Sequence, residues 1–222
     1  MSLKEYIKKD IVKFIDRPDI FKYIYVYKDL RKRGRKVLIK NDRMYINGEE
    51  IIPVFENDIL SVKEGIFSVI DQDGDITYYR CKKIDLKGDG KIEEFIGICS
   101  IFENIAVHSG GVVSSYLAKY WEERGKARIR KGSVNEKIYS VFKDLVIRGL
   151  IPKSGLKYGS HFRVYHSDKS KHSEYLVSVV PPYPNYVDLA AKSRVAHAVR
   201  KTLIIAESVG KINYYEYKWV KI

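Results

Sequence analysis

Cysteine is almost missing from this 222-residue sequence: Cys81 and Cys99 are the two it contains. A pair with that spacing makes neither a disulfide framework nor a zinc motif, so both are expected to be packing residues. Long apolar runs are missing too. The longest, such as Thr202 to Ala206, fall far short of the roughly 20 residues a membrane-crossing helix needs, and the opening MSLKEYIKKD lacks the apolar stretch of a secretory leader. We therefore expect a cytoplasmic protein with no membrane partner. Acid is scarce relative to base, 28 Asp and Glu against 41 Lys and Arg, for a formal net charge of +13. Such a surface suits a polyanion, because each cation that neutralises a phosphate releases a condensed counterion. Metal-ligand spacing is absent as well. DQDGDITYY places Gly at the fourth position of a would-be calcium loop, and DLKGDGKIEEFI has Lys87 and Ile96 at its third and twelfth ligand positions. Both runs read as turns, and no metal or other cofactor is expected.

What the sequence does have is a globular balance, 45% hydrophobic and 31% charged residues, with tyrosine prominent at 18. Tyrosine can supply core area and also stacking surface for unpaired bases. Two internal repeats organise the chain. YVYKDLRKRGRKVLIK (25–40) resembles YSVFKDLVIRGLIPKS (139–154), an amphipathic helix that Gly34 or Gly149 would end. FSVIDQDGDITYYRCKKI (67–84) resembles LIIAESVGKINYYEYKWV (203–220), two strands joined by a turn at Gly74 or Gly210. The pairs come in the same order, so the chain reads as a tandem duplication: a shortened copy over 1–84 and a fuller one over 134–222. Between them, 85–133 reads as a small α+β subdomain. Its stretch Gly111 to Arg124 has helical periodicity, with Val113, Tyr116, Leu117, Tyr120 and Trp121 on one side.

The fuller copy carries YGSHFRVYHSDKSKHSEYLV (158–177). Phe162, Val164, Tyr175, Val177 and Val179 alternate as the buried faces of two strands joined by a polar loop. Within and after that loop, Tyr165, His172 and Lys201 are three groups that could serve RNA cleavage without a metal: a base, an acid and a cation for a charged phosphorane. The first copy is too short to hold an equivalent of KSKHSEYLV, which makes it a candidate scaffold.

YG..FRVY, HSEYLV, SRVAHAVRKTLIIA and INYYEYKW, in that order over 139–222, resemble the catalytic domain of the archaeal tRNA-splicing endonucleases. The resemblance implies mixed α/β structure: degenerate and catalytic nuclease-like domains in tandem, each a restriction-endonuclease-like mixed sheet flanked by helices. It also implies a metal-independent transesterification of precursor tRNA at bulge-helix-bulge sites, giving 2′,3′-cyclic phosphate and 5′-hydroxyl ends. The family's Tyr, His and Lys fall on Tyr165, His172 and Lys201. The loop before His172 is shorter than the family's, which makes Tyr158 the alternative tyrosine, and His161, His166 and His197 are rival acids outside the HSxYLV context. Base and acid can be divided either way between Tyr165 and His172. Arg194, on a helix expected over 190–200, matches a base-clamping arginine; Lys218, beside Glu216, stands near where the second would fall. An acidic docking loop of the family corresponds to Asp71, Asp73 and Asp75 of the first copy, whereas the second has ESVGK there. That pattern implies a homodimer. The alternatives are a catalytic subunit that needs a structural partner, or a non-catalytic RNA-binding subunit.

Overall fold

The computed structural model describes residues 3–7, 17–168 and 170–222. Residues 1–2 and 8–16 of the first expected domain, and Lys169 of the polar loop, lie outside the described residues. The fold is mixed α+β and divides into two compact units. One holds residues 1–83, 183–194 and 215–222; the other holds 84–182 and 195–214. Among the described residues no helix is long and apolar enough to cross a membrane.

In the first unit, helices α1 (Leu3–Ile7) and α2 (Pro18–Lys32) accompany strands β1 (Leu38–Lys40), β2 (Arg43–Ile46), β3 (Glu49–Phe55), β4 (Gly65–Ile70) and β5 (Ile76–Ile84). Pro18 at the first turn of α2 carries no amide hydrogen to waste and Asp19 complements the helix dipole. Ile24, Val26 and Leu30 turn fully inward from the same helix. β1, β2 and β3 run antiparallel in that order, β3 pairs parallel with β4, and β4 returns antiparallel as β5.

The second unit repeats that topology. α4 (Glu136–Ile147) precedes β10 (Ile151–Ser154), β11 (Phe162–Tyr165) and β12 (Tyr175–Val180), which are successively antiparallel. β12 then pairs parallel with β13 (Thr202–Val209), whose sheet neighbour is β14 (Lys211–Trp219). The expected alternation holds: Phe162 lies opposite Val177 and Val164 opposite Tyr175, and Phe162, Val164, Val177 and Val179 share a core with Phe142, Leu145 and Ile204.

The repetition extends to side chains. Arg33 Nε lies 2.7 Å from Asp29 Oδ2, and Tyr78 Oη donates to the same oxygen at 2.6 Å. Arg148 Nε lies 2.6 Å from Asp144 Oδ2, and Tyr214 Oη donates to that oxygen at 2.7 Å. Each guanidinium also covers its tyrosine ring, at 5.5 Å and 5.2 Å. This clasp joins the last turn of the helix to the second strand of the final hairpin. Both helices end on a glycine at φ +75°, Gly34 and Gly149, a left-handed conformation that costs glycine nothing.

Three expectations need correction. Gly111–Ser114 is strand β8, paired antiparallel with β7 (Ile105–His108), and the helix α3 spans Ser115–Glu123. The Ser114 hydroxyl accepts from the Tyr116 amide, so the start of α3 is set by a cap that overrides the periodicity of Val113. With β6 (Gly97–Phe102) and β9 (Ala127–Lys131) these strands form a four-stranded sheet, and its core is Cys99, Ile101, Ala106, Ala118 and Trp121. Residues 85–96 form neither a turn nor a regular element: Gly88 N donates to Arg148 O, Gly90 N to Gly149 O and Asp89 N to His166 O. A Cβ on Gly88 would stand 2.4 Å from the carbonyl oxygens of both Gly149 and His166, so only glycine allows that approach. The helix expected over 190–200 is α5, Tyr186–Ala198. Its early start follows from Asn185, whose side chain accepts the Asp188 amide.

The β3 to β4 connection, 56–64, is short for a parallel crossover and holds no helix. Residues 183–194 occupy that place within the first unit. Leu60 N donates to Pro184 O at 2.8 Å, Val187 N to Glu56 O at 3.1 Å and Ser61 N to Tyr186 Oη at 3.2 Å. Tyr186 is fully buried, its ring 5.5 Å from that of Phe67. Val220 and Ile222 pack on the same unit's core beside Tyr78. Cys81 and Cys99 are both free and buried, as expected of packing residues; burial pushes the Cys81 thiol up to about 12.

Candidate active site

The strands β11, β12 and β13 present one common end. Val164 lies beside Tyr175, and Tyr175 beside Thr202. Two hydrogen bonds carry the ladder a step further, Glu174 N to Val164 O at 3.1 Å and Thr202 N to Glu174 O at 2.9 Å. Tyr165 closes β11 at this end, Lys201 leads into β13, and His172 sits in the loop between β11 and β12. Long-range pairing thus brings the three expected groups to one edge although 36 residues of numbering (165 to 201) span them.

Lys201 is held by backbone on both sides. Arg200 adopts φ +54°, the left-handed turn that ends α5, and Lys201 N donates to Ala196 O at 2.8 Å. The Lys201 ammonium donates to Ser173 O at 2.5 Å and stands 6.0 Å from the centre of the Tyr158 ring. Ser173 is buried while its neighbour His172 is exposed. Glu174 anchors the other end of the loop, its carboxylate accepting the His166 amide at 3.0 Å. The His172 loop is therefore tied to Lys201 through Ser173 and closed at its base by the Glu174–His166 bond.

Both candidate tyrosines lie among cations that the sequence reading did not single out. Lys153 of β10 pairs across with Arg163 of β11, and Arg163 shares a sheet face with Tyr165. Lys153 Nζ is 5.7 Å and Arg163 Cζ 5.9 Å from the Tyr165 ring centre. Tyr158 ends a short 3-10 helix, Leu156–Tyr158, with Lys157 Nζ 5.0 Å from its ring. A hydrogen bond from Lys157, with the charges of Lys157, Lys201 and Arg163 behind it, brings the Tyr158 phenol below the ordinary tyrosine range. The one-residue alternation of β11 was the available signal for Arg163; Lys153 enters through register, which the sequence does not spell out.

The rival histidines His161 and His166 have other partners. His161 Nδ1 accepts the Val179 amide at 3.0 Å, and His166 Nδ1 lies 3.7 Å from Asp89 Oδ1. His197 is exposed near the end of α5. Arg194 on α5 and Lys218 on β14 are exposed and belong to the first unit. Arg194 opposes, with its charge, the upward push of burial on the Tyr79 phenol. In the 71–75 turn the Asp71 carboxylate accepts the amides of Asp73 and Asp75 at 3.0 and 2.9 Å, leaving Asp73 and Asp75 as the exposed acids. Among the described residues no group of three or more His, Cys, Asp or Glu side chains is arranged to hold a metal ion.

A phenol, an imidazole and an ammonium carried to one end of a mixed sheet, with further cations beside the tyrosines, are groups capable of acid–base chemistry on an anionic substrate. Comparison with known proteins narrows that class. Residues 135–214 match the family model of the tRNA intron endonuclease catalytic C-terminal domain. The tRNA-splicing endonuclease of Thermoplasma volcanium is 32% identical over 215 residues, covering 85% of this chain and 70% of the relative. Those of Thermococcus kodakarensis and Thermococcus gammatolerans are 43% and 41% identical, covering 47% and 51% of this chain and 74% and 84% of theirs. The chain belongs to the tRNA-splicing endonuclease family.

Proposed function

We propose that the protein cleaves precursor tRNA at bulge-helix-bulge junctions by metal-independent transesterification. The observation that carries this reading is the gathering of Tyr165, the His172 loop and Lys201 at one end of β11, β12 and β13, inside the stretch matched by the family's catalytic domain. In the reaction the 2′-oxygen attacks the adjacent phosphorus as a base takes its proton, the bond to the 5′-oxygen breaks, and an acid protonates that oxygen. The products are a 2′,3′-cyclic phosphate and a 5′-hydroxyl. Tyr165 and His172 are the proton-transfer pair, and Lys201 offsets the charge that develops on the phosphorane. An unperturbed phenol ionises near pH ~10 and is a poor base near neutrality, so Tyr165 takes the base role only where Lys201 and its neighbouring cations favour the phenolate; otherwise His172 is the base and Tyr165 the donor. Bulged nucleotides offer faces for stacking that A-form duplex does not, and Arg194 with Lys218 would engage them.

The same reading assigns 1–84 as a scaffold copy, 85–133 as an intervening subdomain and 134–222 as the catalytic copy. Asp73 and Asp75 of the scaffold would dock on a second chain to close a homodimer with two sites. The decisive experiment is cleavage of an end-labelled bulge-helix-bulge RNA by the protein alone in EDTA, beside His172→Ala. Cyclic-phosphate ends that disappear in the variant are expected. Cleavage that needs added metal, or that survives in the variant, would defeat the mechanism.

A further inference from the structure

The two clasped helices provide an internal control on charge. Asp29, Arg33 and Gly34 correspond to Asp144, Arg148 and Gly149, and the clasp and helix end are the same in both units. With that alignment, Arg31, Lys32, Arg35 and Lys36 correspond to Val146, Ile147, Leu150 and Ile151. The second helix ends with no basic residue in its last turn, so the fold does not need one there. Helix-dipole complementarity would account for Arg31 and Lys32 at most, since Arg35 and Lys36 lie beyond Gly34.

Residues 31–36 are all exposed, as are Lys28 and Lys40. From Lys28 to Lys40 there are seven cations and one acid, Asp29, and that acid is already taken by Arg33 and Tyr78. The matching cations of the second helix are neutralised: Lys143 lies 2.7 Å from Glu123, and Arg148 lies 2.6 Å from both Asp144 and Asp85. Exposed like charges in sequence repel one another and weaken a helix end. Their concentration in one copy alone calls for an external anion.

We propose that the end of α2 and the following segment, through Arg31, Lys32, Arg35 and Lys36, form a docking surface for the phosphate backbone of duplex RNA, apart from the cleavage site. Residues 28–40 contain no aromatic side chain on which a base could stack. The surface therefore reads charge and backbone rather than sequence, which is how A-form helices are held. The choice of RNA as the anion rests on the function proposed above.

The test uses the full chain and a fluorescent RNA duplex of about 16 base pairs, the span a duplex-binding domain covers, with no bulge to cut. Binding is then read whether or not the protein cleaves RNA. Anisotropy titrations at 50 and 200 mM salt compare wild type, Arg31→Gln/Lys32→Gln/Arg35→Gln/Lys36→Gln, and a charge-matched control, Lys91→Gln/Arg128→Gln/Arg130→Gln/Lys131→Gln, whose sites are also exposed. Loss of four phosphate contacts should shrink the salt-driven fall in affinity roughly a hundredfold in the first variant, from a slope of about 0.9 per contact. The control should follow wild type. Equal salt slopes in wild type and the first variant, equal loss in both variants, or no binding by wild type would overturn the proposal. So would a variant that binds duplex normally but loses self-association in light scattering, which would reassign the surface to an acidic face of a second copy. Circular dichroism of each variant checks that the helix is intact.

Discussion

The surroundings of Tyr158 favour the phenolate, whereas burial pushes Tyr78, Tyr186, Tyr214 and Tyr217 the other way. In a spectroscopic titration of tyrosinate absorbance, an early transition below the ordinary phenol range should vanish in Tyr158→Phe. It should move to higher pH in Lys157→Gln, since a cation that stabilises the charged form has been removed. An early transition that persists in Tyr158→Phe would assign it elsewhere. At this scale the local motifs single out Tyr165, His172 and Lys201, and strand pairing gathers their segments at one end of the sheet. The cations around them were hidden for a physical reason. Lys153 reaches Tyr165 only because β10 pairs with β11 in one register, and Lys201 reaches Ser173 only because β12 and β13 run parallel after a helical crossover.

The clasp between helix and hairpin is the clearest element-level device. Tyr78 and Tyr214 each donate to a carboxylate, and burial first, then that bond, hold both phenols well above the ordinary range. Removing either hydroxyl leaves a half-buried carboxylate short of a donor. Tyr78→Phe and Tyr214→Phe should each cost about 1.5–3 kcal/mol in urea unfolding. The pH dependence follows from the raised folded-state values. The stabilisation is complete below the unfolded phenol's range, near pH ~10, and is lost as pH climbs beyond it. Stability of the wild type should therefore decline above that pH, and each Phe variant should flatten the decline. The repeat itself was legible because KDL and the helix-ending glycine recur together. Two element boundaries were not. The start of α3 depends on the Ser114 cap and on β8 finding β7, and 88–90 bonds to the backbone of Arg148, Gly149 and His166 at a distance only Gly88 allows.

For the molecule as a whole, the acidic turn is the feature on which assembly is proposed to depend. Asp71 is bound into the turn by its own amide contacts, so its substitution would blur shape with charge. Asp73→Asn/Asp75→Asn leaves the turn's hydrogen bonds in place, and the proposed docking requires that this variant elute smaller than wild type in gel filtration with light scattering, with cleavage reduced in step. An unchanged mass would remove the turn from the interface. The repeats divide the sequence by numbering alone, and no local pattern announces the membership of 183–194 and 215–222 in the first unit. Nothing in the local pattern of Tyr186 says that its ring fills the place beside Phe67 that a shortened crossover leaves open.

That borrowed tyrosine constrains how the gene could ever be divided. A split after codon 83 would separate β4 from Tyr186 and Tyr78 from Val220, so the shorter product would emerge from the ribosome with its interior unfinished. Two separately made products would have to associate before the shorter one could bury that face, unless it gained a crossover helix of its own.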